Sequence, residues 1–334
     1  MAKALIKISN THSQLGNTAA VTETHQKVEK ILYRLDPAQR MNYEAALGSL
    51  CLYLGEYETA INHFSTIAKV FTEQGNNVNQ AACLDNMGTI YRMLGDYHKS
   101  QEHHDLALQI SRDIEHTTLE ANCLSNIGIL FYYQGEYHRA FSKYQEALSI
   151  FESSGVRHQM LNTLINIAIV GNALKQQETT VAFFTRALSI AKEVGDLRSA
   201  AYINGHLIEI TRTNVKDEGA IERLREVCDS LHNCWRCAAG VFRSSLALML
   251  AEQEEFEEAI ELIRCSEEDV RVERFEYAMF LCKKTMVYSS GQVSAAQKAM
   301  QEAELASKEV FTGENSILGD LLQRSRSMVN GDNA

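Results

Sequence analysis

Apolar residues recur along this chain at the spacing of amphipathic helices, interrupted at regular intervals by a short polar turn. In residues 84–108, LDNMGTIYRMLGDYHKSQEHHDLAL, the side chains of Leu84, Met87, Ile90 or Tyr91 and Leu94 share one helical stripe. After the turn, Tyr97, Ala107 and Leu108 begin another. The pattern returns forty residues later in 124–148, LSNIGILFYYQGEYHRAFSKYQEAL. This periodicity predicts two antiparallel helices per unit, and a self-similar unit of this length marks a stacked repeat array.

Aligning the turn glycines extends the period. Gly55, Gly95 and Gly135 stand forty apart, the phase continues at Lys175, near Lys216, at Glu255 and near Ser290, and Gly16 precedes Gly55 by thirty-nine. About eight units are therefore expected in a single array over 1–330, well defined over 40–200 and degenerate over 201–330, with 331–334 as a disordered tail. Glycine suits the position after a helix, where a left-handed backbone is cheapest, and the acidic residue that follows (Glu56, Asp96, Glu136) suits the start of the next helix.

Residue size repeats as well. Gly48, Gly88, Gly128 and Ala168 in the first helix, and Ala60, Ser100, Ala140 and Thr180 in the second, are small where helices must approach. Phe64, His104, Tyr144 and Phe184 share a bulky position, and Ile67, Ala107, Ala147 and Ala187 the next small one. Large beside small at every repeat is what interdigitated packing requires.

These residues resemble the tetratricopeptide repeat, in the forty-residue form of kinesin light chains, the Pins/LGN polarity adaptors and MalT-type sensor domains. The matching positions are Met87-Gly88 and Ile127-Gly128, the aromatics Tyr91, Phe131 and Tyr144, and the alanines Ala140 and Ala147. The proline that closes the shorter repeat is absent, replaced by a longer second helix and polar loops such as EHTTLE at 115–120. The resemblance implies an all-α, right-handed α-solenoid (superhelix) of about eight helical hairpins with a concave binding groove.

Composition agrees with that reading. One proline and eighteen glycines in 334 residues leave few breakers for sheets or linkers. A net charge of −11 opposes the counterion release that drives nucleic-acid and anionic-membrane binding. No signal peptide or long apolar run is visible, so a cytoplasmic protein without membrane insertion is expected. The eight cysteines read as reduced core residues, two of them, Cys83 and Cys123, at one repeat position.

The candidate chemistry is that of binding. Asn86, Asn126 and Asn166 share one position, joined by His206 in the next unit, and Asn122 and Asn162 form a second row one turn earlier. An amide both donates and accepts, as recognition of a peptide backbone requires. In the proteins this sequence resembles, an asparagine at the Asn126 position commonly bonds a bound peptide's backbone. The alternative is that the amides bond neighbouring helices. Their neighbours Ala82, Asp85, Ser125 and Ile165 are not basic, so capture of a terminal carboxylate is not expected. Arg92, Tyr132, Tyr133, Asn172 and Tyr202 fall on the same face as further contacts, with Tyr132-Tyr133 as the natural anchor. Asn126→Ala and Tyr133→Ala are expected to weaken capture of a partner with little effect on stability.

Other clusters read as structural. CDSLHNCWRC at 228–237 lacks a second pair of ligands for zinc and is expected to be a helix packing Trp235 and its cysteines between repeats. His104 falls at the bulky packing position, the glutamates of 252–268 form a solvated face, and no catalytic constellation recurs at plausible spacing. The expectation is a non-enzymatic scaffold or adaptor, without cofactor or metal, that binds a peptide segment of a partner protein in its groove. The alternative is a ligand- or peptide-sensing domain that regulates a transcription or signalling factor.

Overall fold

The computed structural model describes residues 37–212, 217–271, 274–289, 292–310 and 317–330. Gly16, Lys216, Ser290 and the tail 331–334 lie outside the described residues. Fifteen helices make up the described chain: α1 (Pro37–Leu54), α2 (Tyr57–Glu73), α3 (Asn77–Met93), α4 (Tyr97–Asp113), α5 (Thr117–Tyr133), α6 (Tyr137–Ser154), α7 (Arg157–Ala173), α8 (Gln177–Val194), α9 (Leu197–Thr211), α10 (Glu218–His232), α11 (Arg236–Glu252), α12 (Phe256–Val270), α13 (Arg274–Ser289), α14 (Val293–Glu309) and α15 (Ile317–Asn330). The fold is an all-α solenoid of helical hairpins, as the period predicts.

Two compact units divide the chain. The first holds the described residues up to Leu130 together with Ser149–Ser154, and the second holds Phe131–Leu148 and the described residues from Gly155 onward. Within the first, α2 packs on both α1 and α3, and α3 on α4. Within the second, α8 packs on α7 and α9, α11 on α10 and α12, and α13 on α14 and α15. Helices such as α2, α8 and α11 thus bury one side against one neighbour and another against the next, which is how a stack grows without a larger core.

The turns behave as their residues dictate. Gly55, Gly95 and Gly135 adopt φ of 77°, 80° and 75°, and the chain reverses through bonds such as Gly95 N–H to Arg92 O (3.0 Å) and Asp96 N–H to Tyr91 O (2.9 Å). Asp96 then caps α4 by accepting from Lys99 N–H at 3.1 Å. Lys175 holds the same left-handed turn at φ 59° without being glycine, and Glu254 does so at 69°, one residue before the expected Glu255. A side chain in that region costs ~1–2 kcal/mol, partly offset by the entropy a glycine loses. Glu254→Gly is therefore expected to stabilise the protein by about 0.5–1 kcal/mol, read as a rise in the urea midpoint at unchanged m-value.

Packing follows the size pattern. Ala60, Ser100, Ala140 and Thr180 are fully buried, as are Phe64, His104, Tyr144 and Phe184. A Cβ added at Gly48 would meet the Phe64 ring at 3.0 Å and one at Gly88 the His104 ring at 2.8 Å, so these glycines are the floors on which the bulky residues rest. All eight cysteines are free thiols, and five (Cys51, Cys83, Cys123, Cys228, Cys282) are buried. Burial pushes the Cys83 thiol up to about 12, which leaves it inert.

Residues 228–237 depart from expectation. They do not form one helix: α10 ends at His232 and α11 begins at Arg236, with Trp235 at its N-cap. Trp235 is 40% exposed and stacks on Tyr202, ring centroids 4.8 Å apart, while the Arg198 guanidinium lies 5.5 Å from the centre of the indole. Cys234 is exposed as well. Among the described residues no group of three potential ligands could hold a metal ion.

Candidate ligand-binding face

Counting from the start of each first helix reveals a longer row than the turn spacing does. Asn86 is the tenth residue of α3, Asn126 of α5, Asn166 of α7 and His206 of α9, and the row continues with Ser245, the tenth of α11, and Lys283, the tenth of α13. Asn86 and Asn126 belong to the first unit and Asn166, His206, Ser245 and Lys283 to the second.

In the first unit the row is bound into the core. Asp85, only 8% exposed, accepts from His104 Nδ1 at 2.7 Å and from the Asn126 amide Nδ2 at 2.7 Å. With a carboxylate as partner, the His104 proton is assigned to Nδ1. Asn126 therefore ties α5 to the hairpin of α3 and α4, and the expectation that its removal leaves stability unmoved gives way to a structural cost. Asn86, Asn122 and Arg92 are half-buried in the same unit.

In the second unit the row carries charge. The His206 ring stacks on Phe184 (5.4 Å, 10°) and meets Tyr202 (4.6 Å) and Phe242 (5.1 Å) edge-on. Its Nδ1 stands 3.3 Å from Glu209 Oε2, and Lys283 Nζ donates to Ser245 Oγ at 2.6 Å. Burial acts to raise the Glu209 carboxyl, but the hydrogen bond from His206, the Lys283 ammonium and the Ser245 hydroxyl outweigh it and bring it down to about 2. Glu209 is thus a fixed anion among aromatic rings. Asn162 and Asn172 are exposed, Asn166 half-buried, and Tyr132 and Tyr133 half-buried with ring centroids 5.7 Å apart.

The structure brings Tyr202 and His206 together with Glu209, Ser245, Lys283 and Trp235, of which the last four were not singled out as binding residues by the repeat period. Asn172, at the end of α7, lies on the same helix as Asn162 and Asn166 but beside the turn, where its carbonyl accepts from Lys175 N–H at 2.9 Å. Within the second unit the row presents the amide of Asn166 on α7 and flat rings with paired charges on α9, α11 and α13.

The family model of the tetratricopeptide repeat matches in three overlapping stretches, residues 39–113, 80–153 and 117–193. No curated protein sequence matches the chain. Among solved structures the fold is similar to a Rap protein complexed with competence and sporulation factor (TM-score 0.60, 11% identity, 99% of each chain covered). It is likewise similar to NprR in complex with its cognate peptide NprX (TM-score 0.59, 14% identity, 99% of this chain and 97% of that one). Aspartyl phosphate phosphatase F from Bacillus subtilis aligns with a TM-score of 0.61 at 18% identity, over 90% of this chain and 76% of that one.

Proposed function

The chain belongs to the tetratricopeptide repeat family, and we propose that it is a non-enzymatic adaptor that holds a peptide segment of a partner protein along the first-helix face of its hairpins. The observation that carries this reading is the row of polar tenth residues flanked by aromatics on consecutive first helices of the second unit. Asn162 and Asn166 supply groups that read a peptide backbone, and Tyr202, Trp235 and the tyrosine pair supply broad rings of the kind that dominate interfaces. One of the similar structures, NprR, holds its cognate peptide, which supports a peptide as occupant. The phosphatase named above shares the fold, but the row here is built of amides, rings and charges already paired with one another, and we read no catalytic step in it. No helix among the described residues is long and apolar enough to cross a membrane.

A second reading, a domain that senses a signalling peptide and controls a bound factor, is favoured by the same NprR complex. Scattering separates the two: a sensor compacts on binding its signal, and an adaptor does not.

The test uses Asn166→Ala rather than a change at Asn126, because Asn126 is tied to the buried Asp85 and its removal disturbs the core as well as the face. Partners captured by wild type and variant from a cell extract are compared, and the captured segment is made as a synthetic peptide and titrated against both. The expected result is at least a ~10-fold loss of affinity, ~1.4 kcal/mol, with the melting temperature within a few degrees of wild type. Equal affinity for both proteins would remove the row from the binding site.

A further inference from the structure

The second unit makes contacts across its own inner face that stacking of adjacent hairpins does not require. Tyr132 and Tyr133 end α5, yet both rings pack against an apolar cluster whose buried members run from Ile208 to Leu318. They reach past the whole α7–α8 hairpin to do so. Tyr202, the sixth residue of α9, packs against the same cluster, and Glu276 is the third residue of α13. Burial first, and then the Glu276 charge, push the phenols of both Tyr132 and Tyr202 upward, in keeping with their place on one cluster. A second contact spans the same distance independently. Lys175, in the turn between α7 and α8, pairs with Asp320 of α15 at 3.0 Å, although 145 residues separate them (320 − 175).

Both contacts join elements of the unit that are far apart along the chain, and the first involves Tyr202, on the face to which the proposed ligand would bind. We propose that this face is self-occupied: Tyr132 and Tyr133 fill the Tyr202–Glu276 end of the row, the Lys175–Asp320 pair latches the closure, and a ligand gains the face by displacing the tyrosines. The inference rests on the reading of this face as the binding surface and adds its regulation. A protein competent in only a fraction of its molecules binds with an affinity lowered by that fraction, so the closure sets a threshold on which ligands engage. The latch is the weaker half. Lys175 is 81% exposed, and an exposed ion pair shifts such an equilibrium by only about two- to five-fold, whereas the packed rings hold most of it.

The test needs no ligand, so its failure and the failure of the peptide-binding reading are distinguishable. Hydrogen exchange of the full chain is followed in segment 274–284 together with the radius of gyration, at low ionic strength. Asp320→Lys is expected to speed exchange in that segment about two- to five-fold and enlarge the protein, as high salt does to the wild type. Lys175→Asp combined with Asp320→Lys is expected to restore both, since aspartate tolerates the left-handed turn at position 175. Tyr133→Ser is expected to speed exchange there about ten-fold while α3 and α4 exchange at the wild-type rate. Wild-type exchange in both single variants, or a swapped pair that behaves like Asp320→Lys alone, overturns the closure. If Tyr133→Ser unfolds, exchange rises along the entire chain, and the charge-swapped pair at its exposed positions decides.

Discussion

Gly240→Ala is expected to destabilise the protein by about 2 kcal/mol, seen as a fall in the urea midpoint. A Cβ at this position in α11 would stand 2.5 Å from Val270 Cγ2, 3.2 Å from Asp269 Cβ and 3.3 Å from the Ser266 carbonyl oxygen. The last of these is backbone and yields only if α12 moves. Val270 is fully buried and has no free direction in which to turn. Nor can α12 retreat without cost, because Asp269 pairs with Arg236 and Arg243 at 3.0 Å each, and Arg243 also bonds His232 at 2.6 Å. Overpacking of this kind costs ~1–3 kcal/mol, and alanine's better helix propensity returns up to ~1 kcal/mol, so the clash wins but not by its full size. Gly219→Ala is the control. Its added Cβ meets nothing closer than a flexible arginine end at 3.4 Å, so only the propensity gain remains and the midpoint should rise slightly. Equal behaviour of the two variants would mean that α11 and α12 are not in tight register.

The forty-residue period made the hairpins legible because glycine turns, size alternation and hydrophobic stripes repeat together over 40–200, each for its own physical reason. It failed where the spacing shortens. From His206 to Ser245 the row advances thirty-nine residues and from Ser245 to Lys283 thirty-eight, so a strict forty-residue ruler laid from the turns passes both by. Helix starts carry the better signal, since Asp196 and Asp217 cap α9 and α10 by accepting from Ser199 N–H (3.0 Å) and Ala220 N–H (2.9 Å) and are recognisable in the sequence. Glu209 could not be found by repetition at all. The equivalent thirteenth residues, Thr89, Ile129 and Ile169, are not acidic, and its character comes from His206, Ser245 and Lys283 on three helices. Asp85 was likewise hidden: the alignment set His104 correctly among bulky core residues, but its partner lies nineteen residues earlier at a position that is elsewhere Ser125, Ile165 or Gly205.

That buried pair yields the largest expected single effect. Asp85→Ala should cost about 3 kcal/mol, because it leaves the buried His104 Nδ1–H and the half-buried Asn126 amide without their acceptor. Most of that loss is the penalty on the abandoned donors rather than the worth of the bonds themselves, and the two can be separated. At the positions equivalent to His104 stand Phe64 and Phe184, and a Cβ added at Gly48 would meet the Phe64 ring at 3.0 Å much as one at Gly88 would meet the His104 ring at 2.8 Å, so a phenyl ring fits the slot. Asp85→Ala combined with His104→Phe removes the stranded donor along with its acceptor and is expected to recover at least ~1 kcal/mol relative to Asp85→Ala alone. Strict additivity of the two changes would instead show that the His104–Asp85 contact carries no coupling. Asn126→Ala, which removes one donor but leaves Asp85 bonded to His104, should cost less than Asp85→Ala, near ~1 kcal/mol. A loss of partner binding in that variant then reports a loosened α3–α5 packing as readily as a lost contact to ligand, which is why the row's role in recognition has to be decided at Asn166.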